Sequence, residues 1–134
     1  MKPKFIKHDP PRRYSKASVY GDFIFLAGED SKDPKTQKVR GTTAAEQAEY
    51  LFQNMKATLE SLGSGLENVI KTTIYLTDAR HADGYREGRK KHLPHAPPST
   101  LIMGVQLAEP EMLIEIEAVA VISEKSNDPI AVAN

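Results

Sequence analysis

The sequence predicts an α+β domain, a mixed β-sheet with two helices packed on one of its faces. Three observations lead there. Runs of alternating apolar residues occur near both ends of the chain and in its middle. A long stretch after Thr43 carries apolar residues at helical spacing, and a shorter basic stretch, Ala82 to His92, stands between two of the strand-like runs. The resulting order is strand, strand, helix, strand, helix, strand, strand.

Ala17 to Tyr20 and Phe23 to Ala27 flank Gly21-Asp22, a two-residue turn of hairpin type. Asp30 to Lys38, with Asp33-Pro34 and several lysines, reads as a solvated loop. Thr43 followed three residues later by Glu46 is a capping box, in which each side chain satisfies the other's free backbone N–H. Leu51, Met55, Leu59 and Leu62 then recur at helical spacing as far as Gly63, a natural C-terminal cap, and this stripe reads as core. Ile70 to Thr77 is a β-branched strand with Ile70, Thr72, Ile74 and Leu76 on one face and Lys71, Thr73, Tyr75 and Thr77 on the other. Ala82 to His92 forms the second, basic helix.

Pro97 to Ile102 and Leu113 to Val121 read as two final strands joined as a hairpin. In the second of them, Ile114, Ile116, Ala118, Ala120 and Ile122 share one apolar face, while Leu113, Glu115, Glu117, Val119 and Val121 share the other. A carboxylate among Val and Leu must be solvated, paired or in use, because burying it alone is costly. Glu115 and Glu117 are therefore the first places to look for chemistry. The half-oily face needs a cover, and a like subunit is the economical one.

The 134 residues suit one domain over 1–134, with 1–13 as an extended arm, where Pro3, Pro10 and Pro11 stand among charges, and 123–134 as a loosely held tail. Lys plus Arg and Asp plus Glu both number 18, so the net charge of zero gives nucleic-acid or anionic-membrane binding no footing in composition. The absence of Cys excludes disulfides, thiolate zinc sites and cysteine nucleophiles. No apolar run reaches membrane-spanning length and Met1 to Lys7 lacks the apolar stretch of a signal peptide, so a soluble cytoplasmic protein is expected. His92 and His95, with Pro94 between them and His81 upstream, do not make a helical ligand pair, and neither metal nor cofactor is expected. Both read as lining the loop into Pro97-Pro98, where they could donate hydrogen bonds to an anionic ligand.

Several of these segments together resemble the RidA (YjgF) family of small enamine and imine deaminases. Arg13-Tyr14-Ser15-Lys16-Ala17 is similar to the family's N-terminal tyrosine segment, and Gly21 to Glu29 to its first hairpin. Leu66 to Asp78 is similar to its central helix-to-strand passage, and Leu113 to Val121 to its last strand, so the resemblance covers most of Tyr14 to Val121. It implies a chorismate-mutase-like fold assembled as a homotrimer with three clefts between subunits. In the family an arginine pairs with the carboxylate of a 2-imino acid, and a glutamate near the substrate nitrogen assists attack by water. Hydrolysis of C=N needs that base, a positioned water and donors for the developing charge, without metal.

Residue by residue, Glu115 falls on the family's glutamate, Tyr14 on its pocket tyrosine and Gly28 on its pocket glycine. The departures cluster in the same place: Pro98 stands where the family has its arginine, Ala27 where it usually has Ser, Glu29 where it has Gln, and Arg86 where it has a pocket Asn. Losing one charged hydrogen-bonding partner typically costs about 1.5 to 3 kcal/mol. Arg86 has two readings, a relocated cation or part of a solvated helix face with Arg89, Lys90 and Lys91. Glu29 is either a cleft charge or half of a surface salt bridge, and Tyr14 either a pocket wall or packing for the arm. Glu117 reads as a satisfied sheet or interface residue and Thr100 as a pocket wall. Ser99 and Thr100 have no adjacent base that would make them nucleophiles. The resemblance thus implies a deaminase for a small metabolite outside the usual 2-imino acids. Two alternatives remain, a non-catalytic member that binds a small ligand or a client protein, and an endoribonuclease.

Overall fold

The computed structural model describes residues 1–123. Its elements are β1 (Lys4–Ile6), β2 (Ala17–Tyr20), β3 (Phe23–Leu26), α1 (Ala44–Ser61), β4 (Val69–Leu76), α2 (Ala82–His92), β5 (Ser99–Met103) and β6 (Ile114–Val121). Two short 3-10 turns, Leu66–Asn68 and Ala79–His81, lead into β4 and α2. The strands form one six-stranded sheet in the order β1-β2-β3-β6-β4-β5, antiparallel throughout except for the parallel pair β4 and β5.

Local signals hold α1 where the sequence predicts it. The Glu46 N–H donates to the Thr43 hydroxyl at 3.2 Å, and the Thr43 N–H donates back to the Glu46 carboxylate at 3.1 Å. At the other end Gly63, at φ +76°, donates to the Glu60 carbonyl, while Ser64 donates to that of Leu59. That pair of bonds closes the last turn in a Schellman motif. Leu51, Phe52, Met55 and Leu59 are fully buried against Ile24, Ile74, Ile114 and Ile116 of the sheet. Gly84 lets α2 lie close to α1, since a Cβ there would meet the Ala45 backbone nitrogen at 2.7 Å.

The structure corrects the predicted hairpin between the last two strands. β5 and β6 are not neighbours, because β4 lies between them and pairs with both. A tight hairpin is closed by a few residues, whereas residues 104–113 separate these strands. β5 instead follows α2, whose length is what a parallel crossover requires. The strand faces of β4 also differ from expectation at one point. The ladder with β6 shifts between Val69 and Lys71, so Ile70 bulges out to 40% exposure while Val69 takes its place in the core. The arm carries more order than its prolines suggest: β1 pairs with β2, and the Lys16 N–H donates to the Ile6 carbonyl at 2.9 Å. Of the segment read as a loose tail, only Ser123 lies within the described residues.

The segment after β3 is clamped rather than freely solvated. Asn54 of α1 donates to the carbonyls of Asp30 and Lys32 at 2.9 and 2.8 Å, and Arg40 donates to those of Ser31 and Lys32. Two turns nearer the start of α1, buried Gln47 donates to the carbonyls of Gly41 and Glu111 and accepts from the Leu113 N–H at 2.8 Å. Buried polar atoms must be satisfied in this way. Together the two clamps place Asp30, Lys32 and the start of β6 around one hollow.

The helices cover one face of the sheet and leave the other open. On the open face Tyr20, Phe23, Phe25 and Ile102 are exposed, with Val119 and Val121 half-buried among them. None of the described helices is long and apolar enough to cross a membrane.

Candidate functional site

The hollow is a cavity of about 380 Å³ at the end of β3. His8, Arg12, Tyr14 and Lys16 close it from the arm, Gly28 to Asp30 and Lys32 from the segment after β3, Asn54 and Thr58 from α1, and Met112 and Glu115 from β6. Backbone pairing sets their directions. Glu29 exchanges two hydrogen bonds with Ile116, at 2.8 and 3.0 Å. In that register Gly28 and Asp30 share the face of Glu115, while the side chain of Glu29 turns with Ile116 toward α1.

Gly28 is there for space. A Cβ built on it would lie 2.7 Å from one Glu115 carboxylate oxygen, so any other residue would displace the Glu115 side chain. The Glu115 carboxyl, half-buried, has its proton affinity raised, first by burial, then by the charges of Asp30 and Glu117, with Lys32 opposing. Lys32 is itself committed, 2.9 Å from Glu109 and 3.9 Å from Asp30. Glu29 is pushed up to about 7, mainly by burial and further by Asp30, against a hydrogen bond from Thr58 and the charge of Lys16.

The residues that the sequence singles out divide into two groups. Tyr14, Gly28, Glu29 and Glu115 converge on the cavity. Glu29 forms no ion pair among the described residues, which overturns its reading as half of a surface salt bridge. Glu117 points to the open face, where its carboxylate accepts from the Tyr75 hydroxyl, as a satisfied sheet residue does. The remaining residues do not line this cavity. Arg86 lies exposed on α2, 3.4 Å from Asp83. Ser99 and Thr100 are exposed on β5, with Thr100 opposite Thr73. His92 stacks on Phe52 and meets Glu49, while His95 bonds the Val69 carbonyl at 2.8 Å. Pro98 is exposed, its carbonyl taken by the Thr72 N–H.

Sequence reasoning missed Arg12, Lys16, Asp30, Lys32, Asn54 and Thr58. One signal for the last two was present, because Asn54, Thr58 and Ser61 recur at helical spacing beside the apolar stripe of α1. The arm residues offered no such period. No cluster of three or more metal-ligating side chains occurs among the described residues.

The chamber is walled by carboxyls, hydroxyls and a few cations at the end of β3. Residues 6–122 match the family described as endoribonuclease L-PSP, and the chain belongs to that family. A RutC family protein of Pyrococcus horikoshii is 35% identical over 107 residues, covering 80% of this chain and 85% of the relative. A mitochondrial protein of Saccharomyces cerevisiae is 28% identical over 90% of this chain and 84% of its own. Among solved structures, a Thermotoga maritima protein described as a candidate endoribonuclease superposes with a TM-score of 0.81 at 32% identity, over 90% of this chain and 98% of that one. A YjgF family member from Neisseria meningitidis gives 0.77 at 26% identity, over 90% and 95%.

Proposed function

We propose that this cavity hydrolyses the C=N bond of a small enamine- or imine-bearing metabolite, with Glu115 as the general base. One observation carries the reading: a half-buried carboxyl of raised proton affinity, seated where the absent side chain of Gly28 leaves it room. A carboxyl whose proton affinity is raised above that of a free carboxylate is a stronger base, and can both take and return a proton in one cycle.

Glu115 takes a proton from water as the water oxygen bonds to the imine carbon and the C=N π pair moves to nitrogen, and it returns that proton to nitrogen to give a neutral carbinolamine. Glu115 then takes the hydroxyl proton and passes it to the same nitrogen, the C=O forms as the C–N bond breaks, and nitrogen departs as ammonia or an amine. No metal or cofactor takes part in these steps. Tyr14 closes the outer side of the cavity, with its ring edge-on to His8 at 5.1 Å.

Pro98 presents no cation, which points to substrates outside the usual 2-imino acids. The same reading makes the protein a homotrimer, because Phe23, Phe25, Val119 and Val121 form an apolar patch on the uncovered sheet face. Through that interface Arg86 and Thr100, with Ser99 and His95 nearby in sequence, would reach a neighbouring chain's cavity. Sedimentation at micromolar concentration is expected to give three times the chain mass, and a monomer would remove the shared site.

Ammonia release from freshly generated imines tests the chemistry, across a panel that includes substrates without an α-carboxylate. Turnover of the latter supports the proposal. Tight binding of every member without turnover makes the chain a binding protein for a small ligand or client. The endoribonuclease alternative rests on the family's description, and Asp30 and Glu115 on the cavity wall would repel a phosphodiester. RNA cleavage that survives loss of Glu115, with no imine turnover, would favour it.

A further inference from the structure

The cavity contains a cationic rim to which the C=N chemistry assigns no role. Arg12 is exposed at its outer edge, and its guanidinium donates to the Tyr14 hydroxyl at 3.2 Å and to the Gln37 side-chain oxygen at 2.5 Å. Both acceptors are neutral. Lys32 is paired with Glu109 and Asp30, but neither Arg12 nor Lys16 forms an ion pair among the described residues. His8, against the ring of Tyr14, has its proton affinity lowered by burial and by the charges of Arg12 and Lys16, so the rim carries a positive field. Exposed Asp9 is the acidic residue on this side, and it too lies in no ion pair among the described residues.

Glu29, Asp30 and Glu115 line the same cavity and are more shielded from solvent than Arg12. The two charges therefore sit at different depths. A ligand whose anionic group adjoins the C=N carbon would bring that anion against Glu115 and Asp30 when its nitrogen reaches the base. A ligand with the anion several bonds away could place it on Arg12 and its nitrogen at Glu115 together. A guanidinium already held on two sides is suited to receive a carboxylate or phosphate in a fixed orientation, because little freedom remains to be lost.

We propose that Arg12 binds an anionic group of the ligand at the cavity rim, so that the substrate is an imine or enamine carrying its anion remote from the reacting carbon. This rests on the assignment of Glu115 as the reacting end of the cavity and names the substrate class for it. Gln37 and Tyr14 hold the guanidinium in place, and Lys16 adds charge without a fork.

Two stable carbonyl compounds that mimic hydrolysis products serve as probes, 2-oxobutanoate with its carboxylate beside the carbonyl and 4-oxopentanoate with the carboxylate two carbons further. Calorimetric titration of the full chain is expected to show tighter binding of 4-oxopentanoate. Arg12→Gln should weaken that binding by about tenfold to a hundredfold, with little effect on 2-oxobutanoate, and Arg12→Lys should recover part of the loss. Because Arg12 is exposed, the fold should tolerate both changes. Equal affinity for the two probes, absence of binding, or indifference to Arg12→Gln overturns the anchor. If the anchor fails while the native protein still releases ammonia from an uncharged imine, the Glu115 reading stands alone. If Arg12→Gln weakens binding and no imine is turned over, the anchor stands and the deaminase reading falls.

Discussion

Glu115→Gln is expected to lower the rate of imine hydrolysis about a hundredfold or more while leaving the fold and the assembly intact, the usual scale for loss of general acid-base assistance. Gln has the same length and planar end group, so it fits the space over Gly28. What it loses is the capacity to hold a proton taken from water. The native rate should rise with pH through a value above that of an ordinary carboxylate, because burial and the charge of Asp30 raise the proton affinity of Glu115. The variant should lack that limb. Ammonia release followed against pH, with sedimentation as the check on assembly, reads both effects. An unchanged rate would reassign Glu115 to a structural role.

Glu29→Gln is expected to alter how stability depends on pH. In the unfolded chain this carboxyl titrates near 4.5, and in the folded protein it is pushed up to about 7, so between those values the folded state holds a proton that the unfolded state releases. The stabilisation is fully present below 4.5 and is lost as pH rises through about 7. Since part of Glu29 still reaches solvent, the loss should be on the order of 2 kcal/mol rather than the full shift. The Gln variant, always neutral and able to hydrogen-bond Thr58, should flatten this portion of the profile and be the more stable protein above pH 7. Urea denaturation at the two ends of the window measures it. An identical slope in both proteins would mean that the carboxyl is solvated in the folded state.

These two glutamates also show how far the site was legible beforehand. Glu115 stood out because a carboxylate interrupts an apolar strand and because its segment resembles a known one, and the structure brings it to the cavity with Tyr14 and Gly28. Glu29 is adjacent to Gly28 in sequence, yet its environment is decided by the pairing with Ile116 that turns it toward Thr58. No spacing in the chain announces that partner. Arg12 was equally hidden, because residues 7–15 have no period and its partner Gln37 lies 25 positions away.

What the sequence by itself determined is the set of features that arise within a few residues of one another. The capping box at Thr43 and Glu46, the glycine stop at Gly63, the turn at Gly21, the span of α2 and the alternation of Ile114, Ile116, Ala118 and Ala120 all involve neighbours on the same helix, turn or strand. Such interactions are available to the chain before it folds. Only the tertiary structure decided that β4 lies between β5 and β6, that Ile70 bulges outward, and that Arg12, Lys16, Asp30, Asn54 and Thr58 share a cavity with Glu115. Those outcomes depend on which distant strand edges pair and which helix covers them, a choice made by the packing energy of the whole core rather than by any local pattern.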